Sequence, residues 1–459
     1  MRQSDVRAEK QTAYRVLVAS SPEKLAMEQG DLWDSGKVLS DQTIQVEYAG
    51  KPLASRQFCF WKVQVWNRDG QASAWSTPMR WSMGLLQPAD GTFPHVVPNP
   101  LGKGGATAWG VAALLCNYHT YRTYGDTRVV TENFAAMDRY MVWLATKTKD
   151  GISKVGGFGD WLNKGGTASK DVMDTAYHAH MARIMSEMAM AIGRTDDAAR
   201  YAAHHEQVKS AFIKAYVQPD ASLKDCSQTG YALAFTMDLL LPELRQAAAG
   251  KDVDEIKRFD WHLATGFIGT PRLLPGLSAA GRDDVAYRLL LQKTYPSWLF
   301  QVTNGDTTMW ERWDGWTPAK GFQTIGMNSF NHYAFGAVGE YLYSAVGGIN
   351  ADGVAYKTLR IAPAIQDGIT WANTSYDSVR GRIATAWKLD AGRLTLAVTI
   401  PANTTATVCV PATDADSVTE GGKPAAQAQG VRYLRLENGL AVYEVGSGTY
   451  AFESTMPAK

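Results

Sequence analysis

Apolar and polar residues alternate along YRVLVAS (14–20), TIQVEYAG (43–50) and CFWKVQVWN (59–67), stretches rich in β-branched and aromatic types. A period of two predicts strands with one face turned inward. SSPEK, DSGK and NRDGQ mark the turns between them, and together they predict a small β-sandwich over 1–86. From about residue 105 the spacing changes to three and four in WGVAALLCNYHTYRTYG, VVTENFAAMDRYMVWLATK, DVMDTAYHAHMARIMSEMAMAIG and DDAARYAAHHEQVKSAFIKAY. That is the spacing of amphipathic helices, here predicted over 87–347. Alternation returns in GRLTLAVTIPANTTATVCVP and LAVYEVGSGTYAFE, which predicts a second β-sandwich over 348–459.

The helical part carries a weak internal repeat. Tyr124-Gly125-Asp126, Gly193-Arg194-Thr195-Asp196 and Gly281-Arg282-Asp283 each close one helix and open the next. Gly adopts the left-handed conformation that ends a helix, and Asp is expected to cap the amides of its successor. Repeated hairpins of this kind stack into a solenoid or close into a toroid. The long, tryptophan-bearing loops between them favour a toroid with a site at its mouth. About eight or nine helices are expected, against twelve in a closed barrel of six hairpins.

Composition narrows the class. Of 459 residues 45% are apolar and 20% charged, as in a globular chain of about two to four domains. Lys plus Arg (46) balances Asp plus Glu (45), so no field favours nucleic acid or an anionic membrane. Cys59, Cys116, Cys226 and Cys409 are far apart and form no CxxC pair. They are expected to be free, buried thiols in a reducing compartment, with no metal site and no cofactor. No apolar run follows the basic residues of MRQSDVRAEKQTAYR, and no stretch of about 18 apolar residues occurs. The expectation is a cytoplasmic chain with no membrane partner. The 15 tryptophans and 20 tyrosines change the picture more, because their faces suit sugar recognition as well as packing.

Three of those tryptophans recur at a spacing of three in DTTMWERWDGW (306–316), with Glu311 between Trp310 and Trp313. Apolar neighbours disfavour a charged carboxyl, and stacking faces beside an acid–base group are what a sugar-processing site needs. The competing reading is a surface glutamate paired with Arg312 or Arg258. His332 stands with Asn328 and Asn331 in NSFNHYAFGAVGEYLY, as a ligand contact or a structural hydrogen bonder. Asp160 and Trp161 in GFGDWL repeat the carboxylate-beside-indole pattern, which a helix N-cap would also produce. Trp109 in GATAWG is a stacking wall or the first-turn anchor of a core helix. His178, His180, His204 and His205 lack the carboxylate spacing of a metal site and are expected to be packed or solvated. No G-x-S-x-G, P-loop or dinucleotide fingerprint is present.

The run HLATGFIGTPRLLPG through TMWERWDGW, followed by SFNHYAFGAVGEYLY, resembles the catalytic core of bacterial α-L-rhamnosidases of glycoside hydrolase family 78. QTAYRVLVASSPEKL and FWKVQVWNRDGQASAWS are similar to that family's N-terminal fibronectin-like sandwich, and YKTLRIAPAI with GRLTLAVTIPANTTATV to its C-terminal sandwich. The resemblance implies an (α/α)6 barrel between β domains and inverting hydrolysis of terminal α-L-rhamnosides. It implies Glu311 as general base and His332 in the rhamnose pocket. Asp160 and Trp161 would be sugar contacts, Trp109 a subsite wall, and Trp310 and Trp313 pocket indoles.

The sequence departs from the family in one stretch. An inverting glycosidase needs a general acid as well as a base, and the family carries the acid in a motif like DCPQRDERLGW. Here WSMGLLQPADGTFPHVVPNP (81–100) runs from the first sandwich into the middle of the barrel without it, as after an internal deletion. Asp225-Cys226-Ser227-Gln228 has no Arg-Asp-Glu after it, and Val111 follows Trp109-Gly110 where many relatives have Asp. Asp160, Asp174 and Asp306 are the carboxyls left to replace the acid. Three readings follow: an α-L-rhamnosidase, a rhamnoside-binding remnant of one, and a lyase on rhamnose-containing polysaccharide. The lyase ranks last, since only Arg312 and Arg258 are on offer beside Glu311 to neutralise a uronate.

Overall fold

The computed structural model describes residues 11–42, 46–54, 57–82, 90–96, 104–166 and 168–456. The chain forms two compact units, one of residues up to 89 and one that holds the helices and the C-terminal strands. The first contains β1 (Gln11–Ala19), α1 (Pro22–Ala26), β2 (Trp33–Asp34), β3 (Phe58–Asn67) and β4 (Met79–Ser82) in one antiparallel sheet of order β2-β1-β3-β4. Alternation in β1 sends Val16 and Val18 to one face with Cys59, and Leu17 and Ala19 to the other with Leu25. The strand expected over 43–50 does not form in its described part. Tyr48 instead donates its hydroxyl to the carbonyls of Leu32 and Lys51, which shapes a loop. Residues 43–45, the first ten residues and the expected boundary at 86 lie outside the described residues.

In the second unit the helices come in pairs. They are α2 (Ala112–Tyr124) with α3 (Arg128–Thr146), α4 (Lys170–Ala191) with α5 (Thr195–Tyr216), and α6 (Gln228–Thr236) with α7 (Arg245–Arg258). The series continues with α8 (Thr270–Ala279) and α9 (Asp283–Leu290), then α10 (Trp298–Thr303) and α11 (Val338–Tyr341). A 3-10 turn at Ala334–Ala337 precedes α11 and a π-turn at Leu342–Val346 follows it. Among the described residues of this unit this makes ten α-helices, eight of them in four pairs, more than the eight or nine expected. The extra ones are the short α10 and α11, which are too brief to show a period. Helices α2, α4, α6, α8 and α11 contact one another in turn and form an inner arc. The middle of the arc is dry: α4 buries 15 of its 22 residues, whereas α2 at the edge buries only Leu114. Cys116 on α2 is accordingly exposed rather than buried.

The repeat works as expected at its glycines and differently at its acids. Gly125, Gly193 and Gly281 all take φ near +70° (71°, 75° and 72°), where a Cβ would be strained. Asp126 does accept the Arg128 amide. Asp196 and Asp283 instead sit inside the first turn of the next helix, where a negative charge meets the positive end of the macrodipole.

After residue 346 the chain builds two sheets. One runs in the order Val431–Glu437, Leu440–Val445, Thr405–Pro411, Thr358–Ile361 and Ile349–Ala351, and the other centres on Gly381–Asp390, Arg393–Ile400 and Gly448–Thr455. Alternation along Arg393–Ile400 buries Leu394, Leu396, Val398 and Ile400. They belong to a core continuous with Leu273, Trp298 and Trp313 of the helical part. Trp387 donates its indole N–H to Val346 O and Thr385 its hydroxyl to Gly347 O, fastening the last helical turn to the sheet. No described helix is long and apolar enough to cross a membrane.

The helical histidines are packed: His178, His180 and His205 are buried. His178 Nδ1 lies 2.7 Å from Ser153 Oγ, and its Nε2 lies 2.8 Å from His204 Nε2. Two ring nitrogens at that distance need one donor and one acceptor, so both rings cannot be charged at once. Burial, then the neighbouring His204, pushes the His178 pKa down to about 3, and burial lowers His180 and His204 as well. In the unfolded chain the same rings titrate near 6.5. The folded state therefore keeps its full stability above pH 6.5. Below it the unfolded state takes up protons that the folded state refuses, at a cost of about 1.4 kcal/mol per pH unit and ring. Urea denaturation should show stability falling from pH 7 to pH 5, with a shallower fall in His178→Gln. An unchanged slope in that variant would assign the acid sensitivity elsewhere.

Candidate active site

The sequence-predicted residues lie in loops that precede inner helices. Trp109 is three residues before α2, Trp161 lies in the 154–169 loop before α4, and Glu311 and His332 lie between α10 and α11. Trp109 packs on Phe158 at 4.9 Å between ring centroids, and Phe158 lies 6.1 Å from Trp161, so three half-exposed or exposed rings form one aromatic surface. Non-glycine residues in the left-handed region flank both indoles, Ala108 at φ 66° and Leu162 at φ 60°. Such conformations cost of order 1–3 kcal/mol and persist where surrounding contacts over-determine them.

Glu311 and His332 become neighbours through backbone pairing of 309–311 with 329–332. Glu311 N–H donates to Ser329 O (2.8 Å), Ser329 N–H to Glu311 Oε2 (2.8 Å), and His332 N–H to Met309 O (2.8 Å). Arg312 turns away to Asp314, which also binds Lys164, and those two cations hold the Asp314 pKa down to about 2 against burial. Arg258 pairs with Glu255. Glu311 is thus half-buried and free of an ion pair, contrary to the surface-pair alternative. His332 Nδ1 accepts the Ala334 amide, and its ring lies 5.0 Å from that of Phe267.

Asp160, expected as a sugar contact, is enclosed by protein donors. It is 4% exposed, and its carboxylate accepts from Thr229 Oγ and from the amides of Gly266 (2.8 Å), Ile268 (2.7 Å) and Gly269 (3.0 Å). Burial pushes its pKa up and the four donors pull it back. Three of them are backbone N–H groups that only donate, which is the setting of a carboxylate rather than an acid. Asp160 caps no helix: its carboxylate holds the turn just before α8, more than a hundred residues on. Ser169 caps the nearer α4.

Trp313 and Trp310 also depart from expectation. Trp313, 1% exposed, stacks on Phe335 (4.1 Å, 12°), meets Trp298 edge-on and donates its N–H to Thr265 O (3.0 Å). Trp310 is 4% exposed against Phe330. Indole area buried in a core stabilises more than the same area left to a ligand, so both support the Glu311 loop from beneath. Sequence reasoning missed Phe158, the first ring of the FGDWL segment, and Phe267, whose amide donates to Trp161 O while its ring touches His332.

Asp174 is sealed too, accepting from the amides of Val155 and Gly156 and from Thr107. Gln301 Nε2, Asp306 Oδ2, Trp310 Nε1 and Asn328 Oδ1, all close in sequence to Glu311, are buried without protein partners. Polar atoms left so mark places where solvent or ligand completes the structure. Among the described residues no group of three or more His, Cys, Asp or Glu side chains is arranged to hold a metal ion.

A ring of helical hairpins with a carboxylate, a histidine and aromatic faces on the loops at one end defines a hairpin-type glycosidase domain. The profile of the bacterial alpha-L-rhamnosidase six-hairpin glycosidase domain matches residues 59–346, that of the Rha78A-like N-terminal immunoglobulin domain 2–87, and that of the bacterial alpha-L-rhamnosidase C-terminal domain 348–424. The chain belongs to the bacterial α-L-rhamnosidase family. It is 41% identical over 378 residues to an alpha-L-rhamnosidase of Streptomyces avermitilis, covering 81% of this chain and 36% of that one. An alpha-L-rhamnosidase of Formosa agariphila is 33% identical over 83% of this chain and 42% of its own length. The crystal structure of the Streptomyces protein, complexed with L-rhamnose, superposes with a TM-score of 0.76 at 40% identity over 80% of this chain and 35% of that one. The alpha-L-rhamnosidase of Aspergillus terreus superposes with a TM-score of 0.71 at 27% identity over 80% and 41%. The chain thus spans little more than a third of its Streptomyces relative.

If Trp313 is a support and not a wall, Trp313→Ala should cost about 3–5 kcal/mol of stability. Trp313→Phe, which loses only the bond to Thr265 and some area, should cost about 1–2 kcal/mol. Urea denaturation of the two variants measures both. A Trp313→Ala chain of wild-type stability would return the indole to the ligand.

Proposed function

We propose that this chain hydrolyses terminal α-L-rhamnose from α-L-rhamnosides with inversion, and that Glu311 is the general base. What carries the reading is the state of the Glu311 carboxylate: one oxygen is oriented by the Ser329 amide, the other has no hydrogen-bond partner among the described residues, and the adjacent Arg312 is bonded to Asp314 instead. That oxygen takes a proton from water as the water oxygen attacks the anomeric carbon. The bond to the leaving oxygen breaks on the opposite face and the configuration inverts. His332, with Nδ1 engaged, has Nε2 left for a sugar hydroxyl. The Trp109–Phe158–Trp161 surface suits the apolar ring face and methyl group of a deoxy sugar. The Streptomyces relative crystallised with L-rhamnose supports this substrate class.

A second reading is favoured by the acid side of the site. Asp160 and Asp174 are buried and hydrogen-bonded to backbone amides, whereas Asp306 Oδ2 has no partner among the described residues. The described residues also supply four paired hairpins and the short α10 and α11 to a family domain of six hairpins. On this reading the chain binds rhamnosides and turns over only those with activated leaving groups.

The test is release of p-nitrophenol from its α-L-rhamnoside by the purified chain. Glu311→Gln should lower the rate by about 10²–10⁴-fold. Asp306→Asn should act little on this substrate and strongly on a methyl rhamnoside. Wild-type rates in Glu311→Gln would remove the base assignment. Turnover of the p-nitrophenyl rhamnoside without turnover of the methyl rhamnoside would select the second reading.

A further inference from the structure

The loops before α4 and α8 approach more closely than side chains allow. A Cβ built on Gly266 would lie 2.1 Å from Trp161 O, 2.6 Å from Asp160 O and 2.8 Å from the Asn163 amide, all backbone atoms. A Cβ on Gly269 would lie 2.3 Å from Thr229 Oγ1. Two backbone hydrogen bonds cross the same seam, Phe267 N–H to Trp161 O (2.9 Å) and Lys164 N–H to Ala264 O (2.9 Å), and the Lys164 side chain pairs with Asp314 of the Glu311 segment (3.0 Å). The Asp160 carboxylate sits inside this seam.

We propose that Asp160 is the positioning residue of the site, clamping the 264–269 loop so that Trp161 on one side and the Glu311–His332 pair on the other are held in fixed relation. The site's use for rhamnosides rests on the reading above; the clamp does not. From the clamped loop, Phe267 reaches Trp161 through its amide and His332 through its ring. Thr265 O receives the N–H of Trp313, two residues from Glu311. One carboxylate thereby reaches both halves of the site without touching a ligand. Its neutral isostere fails for a specific reason. An Asn amide at 160 has one oxygen for four donors, and its NH2 would face backbone N–H groups.

The experiment is 19F NMR on the full chain labelled with 5-fluorotryptophan, with the Trp161 line assigned through Trp161→Phe and the Trp387 line as internal reference. In Asp160→Asn the Trp161 line should move and broaden well below the melting temperature while Trp387 stays in place. Thr229→Val, which removes one donor, should shift it less in the same direction. Gly266→Ala, which forces the loops apart without touching a charge, should shift it too. Where the chain is active, kcat/KM on p-nitrophenyl α-L-rhamnoside should drop by up to about 10²-fold in Asp160→Asn, with KM rising more than kcat falls. A simple stability defect would lower the melting temperature and leave both readings alone. Thr229→Val carries the test if Asp160→Asn does not fold. A Trp161 line unmoved in folded variants overturns the clamp. A moved line in a chain that neither binds nor cleaves rhamnosides upholds it and overturns the sugar reading instead.

Discussion

A buried negative charge between two loops organises the mouth of this helical domain. Isolated, the Asp160 carboxylate would be costly at that depth. Its cost is offset by the amides of Gly266, Ile268 and Gly269 in the turn before α8 and by the Thr229 hydroxyl of α6. Charge and buried turn satisfy each other. The arrangement demands glycine at 266, because the FGDWL backbone passes within 2.1 Å of where its Cβ would be. The left-handed Leu162 that follows Trp161 is held by the same contacts.

The inner helices explain why such a seam exists. Because α2, α4, α6, α8 and α11 run as one arc, the loops before them gather at one end, and residues scattered over more than two hundred positions meet there. Below that end the packing is tight: Trp298, Trp313 and Phe335 continue into the C-terminal core. The 310–316 stretch therefore faces two ways. Its indoles anchor it downward, and Glu311, at the position between them, is turned toward the loop of Ser329.

That two-sidedness is where sequence reading succeeded and where it stopped. Alternation and helical spacing delineated the strands and the long helices, since each follows from a period visible in a single segment. Glu311 and His332 were legible because their local patterns are unusual. Their adjacency was not, because it depends on pairing between segments about twenty residues apart. Trp313 was read as a ligand face because composition does not say which way an indole points. Asp160 was seen as a cap or a site residue. It holds the turn before a helix that begins at residue 270, and no local window contains both. The expected strand at 43–50 lost to a tyrosine hydroxyl that bonds a loop carbonyl on either side of it.

The carboxylates around the site can be ranked by the hydrogen-bonding capacity left to them, and the ranking separates structure from chemistry. A carboxylate accepts about four hydrogen bonds. Asp160 has four donors, Asp174 has three, and Asp314 is held between two cations. All three are committed to bonds that hold the fold, and Asp160 has no capacity left. Glu311 has one donor, enough to aim it, and keeps an oxygen for a reacting molecule. Base chemistry needs that combination of fixed direction and unused capacity. The same criterion leaves Asp306, with its unpartnered Oδ2, as the one proposed acid that retains something to give. On the proposed reading, with Glu311 as base and no acid of equal standing among the described residues, turnover should depend on how readily the leaving group departs unaided, because the base removes a proton from water and contributes none to the alkoxide.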